Sequence, residues 1–138
     1  MKYMISSRIR HIAATLACAA TVGWASGALA DGWPSSIAGT WSVVANQTSG
    51  QLVISQAGAG TCKRITGTIF GAQIQGSYCL GAGTVTFHRY RNAAKEASQF
   101  YRANVSQQQV GRPMRMSGSF ATRSDLDSPG EYSFYGTK

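Results

Sequence analysis

The residues best suited to chemistry form a group of cations and aromatics in the second half of the chain. Two segments, Phe87-His88-Arg89-Tyr90-Arg91 and Gln99-Phe100-Tyr101-Arg102, place guanidinium groups between aromatic rings. Guanidinium forks bind carboxylates and phosphates, and aromatic rings add apolar contact area. The pattern predicts capture of a small ligand, with an anionic headgroup or carboxylate as the favoured class. The predicted ligand-binding residues are Arg89, Arg91, Arg102, Tyr78, Tyr90 and Tyr101.

Side chains that could catalyse a reaction are scarce. Beyond the N-terminal leader described below, His88 is the only histidine, and no Gly-x-Ser-x-Gly accompanies it. The acids fall mostly in predicted loops or at the start of the mature chain, so no buried carboxylate dyad is expected. One histidine is also too few for a metal site. The sequence therefore predicts a non-enzyme with no catalytic residues, no metal and no cofactor.

The first 30 residues have the pattern of a secretory signal peptide. Lys2, Arg8 and Arg10 precede the uncharged run from Ile12 to Val22, and Ala28-Leu29-Ala30 supplies the small residues of a cleavage site. The run is too short to span a bilayer, which takes roughly 20 residues. A helix of the folded domain is the alternative. We expect residues 1–30 to be removed and residues 31–138 to form the exported domain, periplasmic or secreted, with no transmembrane segment.

Removal of the leader changes the inventory of charges and cysteines. Lys and Arg fall from 13 to ten against the same five acids, so the mature net charge is +5. Cys18 leaves with the leader, and Cys62 and Cys79 remain as a pair in an oxidising compartment, where a disulfide is expected. The basic aromatic segments could in principle bind nucleic acid. Export and the moderate charge argue against that partner.

The elements that must position these residues are strands, because apolar and polar residues mostly alternate. Short connections that contain Gly, Ser, Asp or Pro, Thr48-Ser49-Gly50 among them, predict antiparallel neighbours. We expect an all-β domain, a single antiparallel up-and-down barrel of about eight short strands. A two-sheet sandwich is the rival. The predicted strands lie near 38–45, 51–55, 62–70, 72–79, 83–91, 98–106, 113–121 and 131–136.

A recurring motif indicates which strand face is interior. An apolar residue, a Gly and a large residue follow one another at spacings of two, and such residues share one face of a strand. The Gly permits the sharp bend of a tightly coiled sheet. We interpret this face as the core, and Trp41 as a core residue. The four copies are Ile37-Ala38-Gly39-Thr40-Trp41, Ile65-Thr66-Gly67-Thr68-Ile69, Ile74-Gln75-Gly76-Ser77-Tyr78 and Met116-Ser117-Gly118-Ser119-Phe120.

The two cysteines predict a register. Cys62 and Cys79 are symmetric about Phe70-Gly71, so a two-residue type I′ turn there would set them opposite each other. Phe70 is an unusual first residue for such a turn. On the chain-entropy model, the cross-strand disulfide restricts the unfolded chain and so stabilises the folded state by about 3 kcal/mol. Its expected role is structural, because Cys-x-x-Cys spacing is absent.

Gly39-Thr40-Trp41, the alternating strands and a second Ile-Thr-Gly-Thr at 65–68 resemble the calycin barrels, the avidin and lipocalin group. The resemblance implies a small antiparallel barrel over the whole mature chain. Periplasmic protease inhibitors, which are small one-disulfide barrels, begin with a similar Gly-x-Trp.

Two functional hypotheses follow. The first is ligand binding at one mouth of the barrel, and it predicts an internal cavity. The second is a protein-interaction or protease-inhibitor module, which predicts a packed interior and an exposed patch beside the basic strands. Strands that project beyond the rim would instead leave the arginines solvated. The cavity of the first hypothesis is predicted among Trp41, Ile65, Ile74, Phe87, Met116 and Phe120.

Overall fold

A computed structural model describes residues 32–107, 109–123, 125 and 128–138. The predicted leader lies outside the described residues. Eight strands alternate with short connections, at positions close to those predicted from the alternating pattern. They are β1 Gly39–Ala45, β2 Thr48–Ala57, β3 Cys62–Ile69, β4 Ala72–Cys79, β5 Thr84–Tyr90, β6 Ala97–Val105, β7 Arg115–Thr122 and β8 Gly130–Thr137.

The strands form one closed antiparallel barrel. Each strand pairs with its neighbour in sequence, and β8 closes the sheet by pairing with β1. Closure satisfies the backbone groups that an open edge strand would leave unpaired. The predicted up-and-down barrel is confirmed, and the two-sheet sandwich is excluded.

The hairpin between β3 and β4 has the predicted register. Cys62 lies opposite Cys79 and forms the disulfide, while Phe70 and Gly71 form the turn with φ of 49° and 77°. The first hairpin differs from the prediction at Thr48-Ser49-Gly50. Its turn is Asn46-Gln47, with φ of 44° and 70°, because Asn readily adopts the left-handed region. Strand β2 therefore begins at Thr48, three residues before the predicted start at 51.

The start of the described chain closes one end of the barrel. We call residues 32–38 the N-terminal strap. The indole Nε1 of Trp41 donates to the carbonyl of Ile37 at 2.8 Å, and the hydroxyl of Tyr78 donates to the carbonyl of Pro34 at 2.8 Å. Trp41 and Tyr78 are fully buried beneath the strap, and Ile37 of the strap is fully buried as well. The core role predicted for Trp41 is confirmed.

The glycine motif does face the interior. Its flanking apolar and large residues, such as Ile65, Ile69 and Ile74, are buried. The central glycines of three copies lie where neighbouring backbones approach so closely that a Cβ would collide with them. These positions allow the tight coiling that a small closed barrel requires. The three glycines are Gly67, Gly76 and Gly118.

Side chains fill the interior, so the predicted deep cavity is wrong. The six residues expected to line it are all buried core residues. Among the larger cavities formed by the described residues, none is lined by Trp41, Ile65 or Ile74. An eight-stranded barrel can hold a small ligand or be filled by its own side chains, and here large inward rings such as Phe87 and Phe134 occupy the core. A ligand site must therefore lie at an end or on the outer wall.

Candidate functional site

The end of the barrel opposite the strap is hollowed into a depression of about 400 Å³. We call it the mouth cup. Its size falls within the usual range for small-molecule sites, near the lower limit. Four aromatic rings line it together with six polar residues, of which Arg89 is the only charged one. The principal residues are Phe70, Arg89, Gln99, Tyr101, Phe120 and Tyr132.

Two neighbouring strands hold the polar group of the cup in a fixed arrangement. Arg89 and Gln99 are cross-strand partners of β5 and β6. The Gln99 Oε1 accepts from Arg89 Nη1 at 3.1 Å and from the Tyr101 hydroxyl at 2.9 Å. Two donors on one oxygen fix the amide, so its NH₂ group remains a donor. The cup therefore presents donors from both Arg89 and Gln99.

The guanidinium of Arg89 is only partly satisfied. Its Nε is buried and has no hydrogen-bond partner among the described residues. The ion pairs within that part of the chain join Arg123 to Glu96 and to Asp125 instead. The hydrogen bond from Arg123 also lowers the pKa of Asp125, so that carboxylate is already engaged. Arg89 thus brings a positive charge to the mouth without a described carboxylate partner.

The backbone around Arg89 departs from regular alternation. The register between β5 and β6 shifts between Arg89 and Tyr90, and the hydroxyl of Ser98 donates to the Arg89 carbonyl at 3.2 Å. Bulges of this kind redirect side chains and are frequent beside functional sites. The residue without a cross-strand partner is Ser98 of β6, directly beside Arg89.

Burial raises the pKa of Tyr101 from 10.0 to about 12, and the charge of Arg89 acts in the opposite direction. The folded protein therefore holds the neutral phenol where an unfolded chain would ionise. This contribution to the free energy of unfolding is complete below pH 10 and is lost as the pH rises toward 12.

We expect Tyr101→Phe to reduce the fall in the free energy of unfolding between pH 10 and pH 12. Urea unfolding at a series of pH values measures this free energy. An unchanged slope in the variant would contradict a buried neutral Tyr101.

Phe70 is the clearest residue of the cup that the sequence analysis did not assign to it. A bulky residue with positive φ is uncommon, yet Phe70 occupies the first turn position with φ of 49°. Its ring lies over Gly50, where any Cβ would overlap with it, and forms one wall of the cup. The unusual turn residue was the available signal, because strain of this kind often accompanies function. Gln99 and Tyr132 had no comparable signal, whereas Phe120 was expected to line the internal cavity and lines the cup instead.

The structure brings two of the six predicted ligand residues together in the cup, Arg89 and Tyr101. Tyr78 lies at the opposite, closed end, where its hydroxyl binds Pro34. Arg102 points to the outer wall because it alternates with the inward Tyr101. The two remaining residues, Tyr90 and Arg91, lie outside the cup.

Tyr90 is the last residue of β5, and Arg91 lies just beyond it. Tyr90 faces outward and its hydroxyl lies 3.4 Å from Gln75 Oε1. Arg91 follows the last residue of β5, is exposed, and uses its backbone N–H to bind the carbonyl of Glu96. Arg89 and Arg91 do not share the cup, but both line a smaller depression of about 250 Å³ beside it, together with Tyr90.

The outer wall carries a second feature beside the basic strands. His88 and Phe100 are cross-strand partners whose rings meet edge to face at 4.4 Å. Phe100 is 48% exposed, and Arg102 is exposed on the same strand two residues later. We call His88, Phe100 and Arg102 the outer patch. A shallow groove of about 420 Å³ includes all three residues.

Comparison with protein-family models, curated proteins and solved structures finds no match for this chain. The barrel agrees with a calycin-like shape in strand number, direction and closure. That agreement concerns architecture. Function must therefore be argued from the site itself.

Two further features are absent from the part of the chain that the structure describes. No group of three or more His, Cys, Asp or Glu side chains there could hold a metal ion. No helix there has the length and apolarity needed to cross a membrane. Within the cup, Arg89 supplies the charge, Gln99 supplies an amide donor, and Asn46, Thr48, Thr122 and Ser128 add further polar groups.

Proposed function

We propose that this protein is an exported barrel that binds a small anionic ligand in the mouth cup. The observation that carries the proposal is Arg89, a cation at the opening with a buried, unpartnered Nε. A buried donor without a partner costs about 1–3 kcal/mol. A carboxylate or phosphate oxygen that accepts from the Arg89 guanidinium would balance the charge, and a turn of the side chain toward the ligand would also allow the buried Nε to donate.

The arrangement around Arg89 favours an anion over a neutral or cationic ligand. The amide of Gln99 turns its oxygen toward Arg89 and Tyr101, which leaves its NH₂ group to donate beside the guanidinium. A pair of donor groups in an aromatic cup suits a ligand with an acidic head and an apolar body. The disulfide is compatible with the oxidising compartment to which an exported protein would be delivered.

The test is a titration of the mature chain, residues 31–138, followed by NMR. Cyclohexanecarboxylate serves as the probe, and cyclohexanecarboxamide is its uncharged counterpart. We expect the acid to shift the resonances of Arg89, Gln99 and Tyr132, and the amide to bind at least about tenfold more weakly. A charge-assisted hydrogen bond of about 1.5–3 kcal/mol corresponds to that ratio.

Two arginine variants give a matched comparison. Arg89→Gln removes the cation of the cup, and Arg102→Gln removes one from the outer wall with the same change in net charge. We expect Arg89→Gln to weaken binding of the acid at least about tenfold and Arg102→Gln to leave it unchanged. Equal losses in both variants would mean that net charge, and not the cup, attracts the anion. Thermal unfolding of each variant checks that it remains folded.

A specific observation also favours a second function, that of a protein-interaction or inhibitor module. The interior is packed, and the outer patch exposes Phe100 between His88 and Arg102, as that hypothesis expects. Native mass spectrometry of protein isolated from its own host distinguishes the candidates. A co-purifying small acid would support the mouth cup, and a stoichiometric partner chain that Phe100→Ser releases would support the outer patch.

A further inference from the structure

The aromatic rings beneath the mouth cup form a continuous row. Phe87 stacks on Tyr101 with centroids 4.6 Å apart, and Tyr101 stacks on Phe120 at 4.9 Å. Phe120 in turn stacks on Tyr132 at 5.2 Å. Each contact joins direct cross-strand partners on β5, β6, β7 and β8. The row therefore follows the curvature of the barrel.

The row rises from the core to the opening and stops there. Phe87, Tyr101 and Phe120 are buried, whereas Tyr132 is half-buried and its hydroxyl donates to the carbonyl of Ser128 at 3.1 Å. The next strand around the barrel is β1, which ends at Ala45 before the row could continue. On this side the cup is lined by smaller residues, Ala45 and Thr48.

The interruption leaves room for one more ring. Tyr132 and Phe120 form an aromatic wall of the cup, Phe70 forms another, and Arg89 and Gln99 contribute the donors. Aromatic pairs prefer stacked or edge-to-face contact, worth about 0.5–1.5 kcal/mol beyond the area that they bury. A planar ring with an acidic substituent could contact the aromatic walls and the donors at once.

We infer that the ligand of the mouth cup is an aromatic acid, whose ring continues the row at Tyr132 and whose carboxylate accepts from Arg89 and Gln99. This inference rests on the proposed anion site and narrows its ligand to one chemical class. Benzoate and cyclohexanecarboxylate are an aromatic and an aliphatic acid of similar size, and only benzoate has a π system that the row could contact. Cyclohexanecarboxylate is no less apolar, so burial of apolar surface alone gives benzoate no advantage.

The test compares benzoate with cyclohexanecarboxylate by NMR titration of the mature chain. We expect benzoate to bind about 2- to 10-fold more tightly, which is the fold-change that the stacking energy represents. Tyr132→Leu should bring the ratio of the two affinities close to one. Tyr132→Phe keeps the ring and removes the hydroxyl, so it should keep the wild-type ratio.

The outcomes separate this inference from the proposed function. Equal binding of the two acids, with both lost in Arg89→Gln, would overturn the aromatic preference and leave the anion site standing. Absence of binding by either acid would overturn the anion site itself. Benzamide that binds as tightly as benzoate would also count against the anion site. Loss of the preference in Tyr132→Phe as well would assign it to the hydroxyl and overturn the stacking model.

Discussion

Gly76→Ala is expected to destabilise the protein by about 3 kcal/mol or more, because the barrel leaves no space for one methyl group. Gly76 lies opposite Phe87 on the neighbouring strand. A Cβ at this position would overlap with the carbonyl oxygen of Thr86 and lie 2.5 Å from the Cα of Phe87. Backbone atoms of a paired strand cannot move aside as the end of a flexible side chain can. The hairpin would have to separate locally.

The effect can be assigned to contact because Gly76 does not have a left-handed φ. Alanine would therefore be acceptable there as far as the residue's own backbone is concerned. Gly81→Ala is the matched control. A Cβ at Gly81 would meet no atom within 4 Å, and Gly81, like Gly76, does not have a positive φ that would disfavour alanine. We expect the control to change stability by less than about 0.5 kcal/mol. Urea unfolding, followed by circular dichroism, measures both variants.

A Gly76→Ala variant as stable as Gly81→Ala would contradict the close approach of β4 and β5. The consequence reaches the mouth cup as well, because Phe87 begins the stacked row through its contact with Tyr101. A folded variant with a displaced Phe87 should therefore also show altered resonances at Tyr101.

Trp41→Ala is expected to cost about 3–5 kcal/mol, the usual range for truncating a fully buried Trp. Trp41 is 0% exposed and lies beneath the N-terminal strap. Truncation would leave a cavity at the closed end and would remove the hydrogen bond to the carbonyl of Ile37. Thermal and urea unfolding measure the loss. Tyr135→Ala, on the exposed outer wall, is the control and should cost less than about 1 kcal/mol.

A conservative variant connects this prediction to function. Trp41→Phe keeps most of the packing and should remain folded, with a smaller loss of stability than Trp41→Ala. Because the ligand is proposed to bind at the opposite end of the barrel, the affinity of the Trp41→Phe protein for cyclohexanecarboxylate should equal that of the wild type. A folded Trp41→Phe protein that no longer binds the acid would indicate a site at the closed end instead.

Local sequence was sufficient for the strands because alternation and turn chemistry act over a few residues. The pair Cys62 and Cys79, with Phe70-Gly71 midway, even fixed the register of one hairpin. The first hairpin was less determined, since both Asn46-Gln47 and Thr48-Ser49-Gly50 contain residues that favour turns. Strand pairing with β1 selects between them, because Thr48, Ser49 and Gly50 are cross-strand partners of the last residues of β1.

The candidate site was only partly predictable for a related reason. Alternation identifies the inward face of β5, so Arg89 could be expected to face the same side as Phe87. It does not reveal where a strand ends, and Arg91, which lies beyond the last residue of β5, is not part of the cup. Nor does it distinguish the two ends of the barrel, which is why Tyr78 was grouped with residues that lie at the other end.

The sequence by itself determined an all-β chain, its disulfide and the aromatic and cationic composition of β5 and β6. Those properties depend on residue type and short spacing. Tertiary structure alone decided that the interior is packed, that the strap closes one end, and that Arg89 meets Gln99 and Phe70 in one cup. Each of those outcomes depends on barrel closure, which brings together side chains that are far apart in sequence.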